Sequence, residues 1–216
     1  MNQIIQSWSE AELNSLREAV MTEMSPYRFT HTAAVEAMVI RLAVLYCPEK
    51  EGILRVAAML HDLTKEKKAP EQEALCEALG IELTPTDRMS PKTHHAKTAS
   101  ALIPQRFPAF ACDEVISAVR YHTTGRAGMT LTEKLIYLAD YIDESRTFAD
   151  CVTLRTCFWS ADPASMDMDA RLALLDDVII LSFDMTVRAL LAEGAPISPD
   201  TVSARNSLLC DRAKRK

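Results

Sequence analysis

Four histidines and two aspartates, His31, His61, Asp62, His95, His122 and Asp140, stand on apolar stripes of helical period in this 216-residue chain, or end one. A carboxylate among neighbours such as Met59-Leu60-His61-Asp62-Leu63 or Leu138-Ala139-Asp140-Tyr141-Ile142 is costly to bury without a partner. A divalent cation is the natural partner for all six. Taken singly, a buried histidine is more often a hydrogen-bonded core residue than a ligand, and an isolated His-Asp dipeptide says less still. The conjunction on four or five separate helices is what points to a metal centre. The fifth histidine, His94, lies about 100° round the helix from His95 and is expected at the surface or behind the ligands.

The helices are marked by their ends. Ser25-Pro26 has the form of an N-cap followed by proline at the first helical position, and His31, Val35, Met38, Leu42 and Leu45 follow at alternating spacings of four and three. From about Glu51, Ile53, Ala57 and Leu60 define an inner face that ends at His61-Asp62-Leu63-Thr64, with Lys65, Lys67 and Lys68 placed where cations suit a helix C-terminus. A short helix from Pro70 to Leu79 closes at Gly80. Ser90-Pro91 opens another, with His95, Thr98, Ala99 and Leu102 on one face and Pro104 as its stop.

Val115, Val119 and His122 align on a helix from about Asp113, which breaks at Thr123-Thr124-Gly125-Arg126-Ala127-Gly128. Thr130-x-x-Glu133 is a capping box opening a helix that carries Ile136 and Asp140 one turn apart. A long helix through Leu172, Leu175, Ile179, Phe183, Thr186 and Leu190 ends at Gly194, and Ser198-Pro199 begins the last one. Arg212 to Lys216 is expected as a frayed basic tail.

Only five glycines, and no internal repeat or linker, fit an all-α fold: one helical bundle over residues 1–216, with a metal core at about 25–150 and helices over 151–216 packed on it. A net charge of −6 argues against general nucleic-acid binding, which needs clustered Lys and Arg. The N-terminal MNQIIQSWSE carries no export pattern and no later stretch is expected to span a membrane, so a soluble, cytoplasmic protein is expected. Six scattered cysteines without a Cys-x-x-Cys pair argue against disulfides and a thiolate zinc site, and most are expected to be small core residues.

A nitrogen and oxygen ligand set without thiolate fits iron, manganese or zinc. Two ions sharing Asp62, roughly 3.5–4 Å apart, can activate a water and polarise a phosphoryl oxygen together. The order of these residues resembles the HD-domain phosphohydrolases. The words Arg28-Phe29-Thr30-His31-Thr32, Leu60-His61-Asp62-Leu63-Thr64-Lys65, His95-Ala96-Lys97-Thr98, Tyr121-His122-Thr123-Thr124-Gly125-Arg126-Ala127-Gly128-Met129 and Glu133 to Ile142 are similar to the YqeK-type branch over approximately residues 25 to 150. His94 stands where that branch often has an aromatic residue, which keeps it open as an alternative ligand to His95.

The resemblance implies a bacterial, helical protein with a two-iron centre that splits diadenosine tetraphosphate symmetrically into two ADP. It also implies that His31, His61, Asp62 and Asp140 hold one metal, and Asp62, His95 and His122 the other. On the same basis Asp62, Lys65 and Arg126 are expected in catalysis, and Lys65, Arg126, Arg146 and Thr123 in substrate binding; for Thr123 and Thr124 the capping of a turn is the alternative, and the residue types favour it. The expected partner is a small-molecule nucleotide, with a homodimer left open. Two alternatives stay open as well: an HD phosphohydrolase acting on a deoxynucleotide, a guanosine alarmone or a cyclic phosphodiester, and a non-catalytic nucleotide sensor.

Overall fold

Side-chain caps set several of the helix starts. Ser25 accepts from the Arg28 N–H, and the Thr130–Glu133 box closes in both directions, with the Glu133 N–H on Thr130 and the Thr130 N–H on Glu133. The computed structural model describes residues 7–215, so Met1–Gln6, part of the N-terminal stretch read for an export signal, and Lys216 of the expected basic tail lie outside the described residues. Eleven helices and no strand occur among the described residues. They are α1 (Glu10–Met21), α2 (Pro26–Tyr46), α3 (Glu51–Leu60), α4 (Ala69–Ala78), α5 (Pro85–Arg88), α6 (His94–Arg106), α7 (Asp113–Tyr121), α8 (Leu131–Ile142), α9 (Ala149–Ser160), α10 (Met168–Ala192) and α11 (Pro199–Lys214).

Two helices organise the centre because they are buried nearly all round. In α3 every residue from Ile53 to Leu60 is buried, against α1, α2, α7 and α8. In α8 Leu135 to Asp140 are all buried, with α2, α3, α7, α9 and α10 around them, and the Tyr137 hydroxyl meets Ser182 of α10 at 2.9 Å. His61 and Asp62 follow α3, His122 follows α7, and Asp140 lies near the end of α8. The best-packed elements therefore carry the polar residues. Beyond them, α9 packs on α8 and α10, and α10 on α2, α8 and α11.

Several sequence expectations need correction. α6 runs past Pro104 to Arg106, because a proline so near a C-terminus removes only one ladder bond. It is also entered through a 3-10 turn at Pro91–Thr93 rather than directly from Ser90. α2, at 21 residues, is long and apolar enough to cross a membrane by length and composition, against the expectation that no stretch is. Here it packs instead on α1, α3 and α8, and its Glu36 accepts from Arg17 and Arg55 in a buried ionic group that fastens α1 to α2 and α3. The basic residues from Arg212 to Lys214 belong to α11 rather than to a frayed tail, with Arg212 on Asp177 and Arg215 on the buried Asp176. Cys47, Cys76 and Cys151 are buried, whereas Cys157 and Cys210 are exposed.

Candidate metal centre

The ends of three buried helices and one face of α2 and of α6 converge on a single cluster. His61 and His122 each follow the last residue of a helix, where carbonyls lack helical partners. Their Nδ1 atoms bond back to Ala58 and Val119 carbonyls, both at 2.7 Å. Donation through Nδ1 leaves each Nε2 lone pair facing inward, the tautomer a metal ligand needs.

Asp62 stands between two halves of the cluster. Its Oδ2 lies 3.5 Å from His61 Nε2 and 3.7 Å from His31 Nε2. Its Oδ1 lies 3.3 Å from His95 Nε2 and 3.7 Å from His122 Nε2. Asp140 Oδ1 joins the first half, 3.0 Å from His31 Nε2 and 3.7 Å from His61 Nε2. In the second, the two Nε2 atoms of His95 and His122 are 3.0 Å apart.

Neighbouring ligand atoms about 2.0–2.2 Å from one ion are about 3–3.5 Å apart and opposite ones farther, so separations of 3.0–3.7 Å suit first-row metals. Possible ligand atoms of His31, His61 and Asp140 all lie within 4.8 Å of one another, as do those of His61, Asp62 and His122. His61 Nε2 and Asp62 Oδ1 are fully buried with no hydrogen-bond partner among the described residues, an arrangement a cation would satisfy.

Electrostatics favour the ligating forms. Burial pulls His61 down to about 4, leaving it neutral at ordinary pH. Burial opposes ionisation of Asp62, but His61, His122, Lys65 and His95 outweigh it and hold the carboxyl well below its usual range. His95 is lowered by burial and then by Lys65. His31 differs: burial works against its proton, yet the neighbouring Asp140 and Asp143 carboxylates prevail and raise it to about 9. A cation accepted at His31 Nε2 replaces that proton, so loading there is coupled to proton release.

Of the remaining sequence candidates, Lys65, Arg146 and Thr123 reach the cluster. Lys65 Nζ is 3.1 Å from His95 Nε2. Arg146 donates Nη2 to Asp140 Oδ1, and Nε to the Asp140 carbonyl at 2.7 Å. Thr123 Oγ1 sits 3.0 Å from His122 Nε2 and 3.2 Å from His95 Nε2, and it is Thr124 that bonds locally, to the Gly125 carbonyl. Arg126 goes elsewhere. Its Nε is bonded to the buried Glu133 at 2.9 Å and its guanidinium covers the Tyr121 ring, while none of its bonds among the described residues reaches the six. His94 is buried rather than superficial, its Nε2 donating to the Asp87 carbonyl at 2.8 Å, away from the cluster.

Two further residues belong to the site. Arg28 Nη1 donates to Asp62 Oδ2 at 2.7 Å, and Asp143 Oδ2, buried and without a hydrogen bond, lies 3.4 Å from His31 Nδ1. Spacing carries both signals: Arg28 is one turn before His31 on α2, and Asp143 one turn beyond Asp140. Below the cluster, Thr64 Oγ1 donates to the His95 carbonyl and Thr98 Oγ1 to Gln72 Oε1, buried bonds that register α6 on the loop after Asp62. Replacing Asp143 by Asn removes the charge that orients the His31 imidazole. Metal affinity should fall about tenfold or more in a calorimetric Mn²⁺ titration, with the circular dichroism unchanged; wild-type affinity would remove Asp143 from this role.

A profile of the HD domain family matches residues 28–145. The symmetrical bis(5'-nucleosyl)-tetraphosphatase of Bacillus subtilis is 30% identical over 192 residues, 88% of this chain and 94% of that one. The protein of the same description from Halalkalibacterium halodurans is 30% identical over 197 residues, covering 90% and 96%. A crystal structure from Clostridium acetobutylicum, described as a "predicted HD superfamily hydrolase involved in NAD metabolism", superposes with a TM-score of 0.79 at 27% identity, over 95% of this chain and 100% of that one.

Proposed function

Because this chain belongs to the HD domain family, we propose that it is a hydrolase cleaving dinucleoside tetraphosphates, diadenosine tetraphosphate foremost, symmetrically into two nucleoside diphosphates. The carrying observation is the position of Asp62, whose two oxygens face two separate groups of histidines. Support for the substrate comes from the symmetrical tetraphosphatases above, similar over about nine-tenths of both chains.

His31, His61, Asp140 and Asp62 Oδ2 would hold one divalent ion, and His95, His122 and Asp62 Oδ1 a second; iron is the proposed metal, with manganese and zinc as alternatives. Such ions supply activation of the attacking water and polarisation of a phosphoryl oxygen. The chain's own residues supply the remainder. Lys65, Arg28 and Arg146 bring three positive charges to the cluster, and neutralising phosphate charge is a large part of phosphoryl-transfer catalysis. Arg146 and Arg28 also hold the two carboxylates in place, and the Thr123 hydroxyl is within reach of a phosphate at the His95–His122 half. Arg126 acts indirectly in this reading, fixing the loop after His122 through Glu133.

In the reaction one water adds to either of the two inner phosphorus atoms. The oxygen bridging them leaves with the other half, so both products are nucleoside diphosphates. Incubation of the metal-loaded protein with diadenosine tetraphosphate should give two ADP per substrate and no early ATP or AMP, read by anion-exchange chromatography. Equal ATP and AMP would overturn the symmetrical reading, and turnover confined to deoxynucleotides, alarmones or cyclic phosphodiesters would overturn the substrate.

A further inference from the structure

Two neighbouring cavities open beside the His95–His122 half of the cluster. One, of about 430 Å³, is lined by Lys65, Lys67, Lys92, Pro91, Gln72 and His95. The other, of about 320 Å³, shares Pro91 and Lys92 with it and adds Thr123, whose hydroxyl touches both imidazoles. Their linings differ in kind. The first offers three ammonium groups next to a metal-centre histidine. The second is walled by Met89, Tyr141, Leu190, Ala195 and Pro196, with hydroxyls from Thr186 and Thr201 between them.

We propose that the second cavity is a nucleoside pocket, taking the purine base and ribose of one substrate half while its phosphates cross Lys92 toward Lys65 and His95. This rests on the dinucleoside-polyphosphate reading above and deepens it. The size fits a small ligand site, since such pockets start at about 300 Å³ and combine apolar walls with a few placed polar groups. Met89 is 68% exposed at this wall, a large apolar side chain left in solvent beside a cavity, as suits a surface that a flat base covers. The Tyr141 hydroxyl is 3.3 Å from Thr186 Oγ1, and Glu193 and Ser198 also line the space, giving acceptors for an exocyclic amine and for ribose hydroxyls. The cavity is assembled from the 3-10 turn before α6, the loop after His122, α8, the end of α10 and the start of α11. The C-terminal helices thereby acquire a part in recognition that the ligand-bearing elements cannot supply themselves.

Two fillings from different elements test it: Leu190→Trp on α10, and Ala195→Phe in the turn that follows. Calorimetric titration of the metal-loaded protein with ADP and with inorganic pyrophosphate separates base from phosphate. In both variants ADP affinity should fall about tenfold or more, with pyrophosphate affinity within about twofold of the unmodified protein. ADP binding unchanged in either variant that keeps wild-type circular dichroism, or an equal fall for both probes, would overturn the pocket. The broader reading fails separately, if the unmodified protein does not turn over diadenosine tetraphosphate.

Discussion

Replacing Asp62 by Ala should lower turnover of diadenosine tetraphosphate by at least about three orders of magnitude and strip most of the bound metal, while far-ultraviolet circular dichroism stays that of the parent. The size of the effect follows from position. Among the described residues Asp62 is the one carboxylate within 3.7 Å of Nε2 atoms in both halves of the cluster, so its loss removes a ligand from each. It also leaves Arg28 without its anion beside four imidazoles, adding positive charge where cations are to bind. Asp62→Asn keeps the volume and removes the charge, and should fall nearly as far. Elemental analysis alongside steady-state kinetics reads both effects. Hydrolysis near the wild-type rate in either variant would end the assignment of Asp62.

The largest effect on stability is expected at Gly125, in the loop that carries Thr123. Its φ of +63° is in the left-handed region, and a Cβ there would lie 2.7 Å from Phe183 Cζ and 2.9 Å from Ala204 Cβ, both in the core. Gly125→Ala combines a conformational penalty of about 1–2 kcal/mol with overpacking worth about 1–3 kcal/mol. A fall in Tm of about 6–12 °C corresponds to about 3 kcal/mol in a chain of this size. Gly128 provides the control: φ is +66°, but nothing among the described residues lies within 4 Å of its Cβ position. Gly128→Ala should therefore show only the conformational part, and equal shifts for the two variants in differential scanning calorimetry would discard the packing argument.

Helix period and end signals are local, and the elements built on them were legible: Ser25-Pro26, the Thr130–Glu133 box and the apolar runs into His61 and Asp140 all describe real helices. Local pattern fails where a partner comes from elsewhere in the chain. α9 follows Phe148 without a side-chain cap, and apolar Val152, Cys157 and Trp159 stand on faces other than that of its buried Cys151, Leu154 and Phe158, so the side that packs is settled by α8 and α10. α1 is signalled by Ser9 and Glu12, a capping box as good as the one at Thr130, but its docking depends on the buried Arg55–Glu36 group. His94 is buried because α5, four residues long, brings the Asp87 carbonyl over it, and so short an element has no periodicity to read.

The same distinction divides the site. All six expected ligand residues face one another, since each ends or lines a stripe aimed at the common core. Among the basic residues, closeness to a ligand in sequence predicts poorly. Arg126 is four residues from His122 but is held by Glu133, seven residues further on, whereas Arg146, six residues from Asp140, folds back onto that carboxylate. A guanidinium follows the nearest buried anion, and which anion that is depends on the turn of the loop.

Anomalous diffraction from crystals grown with Mn²⁺ tests the centre most directly. Two peaks about 3.5–4 Å apart, one among His31, His61 and Asp140 and one between His95 and His122, with Asp62 touching both, are the expected result. A single peak that Asp62 does not touch, or ions bound only outside these six residues, would contradict it.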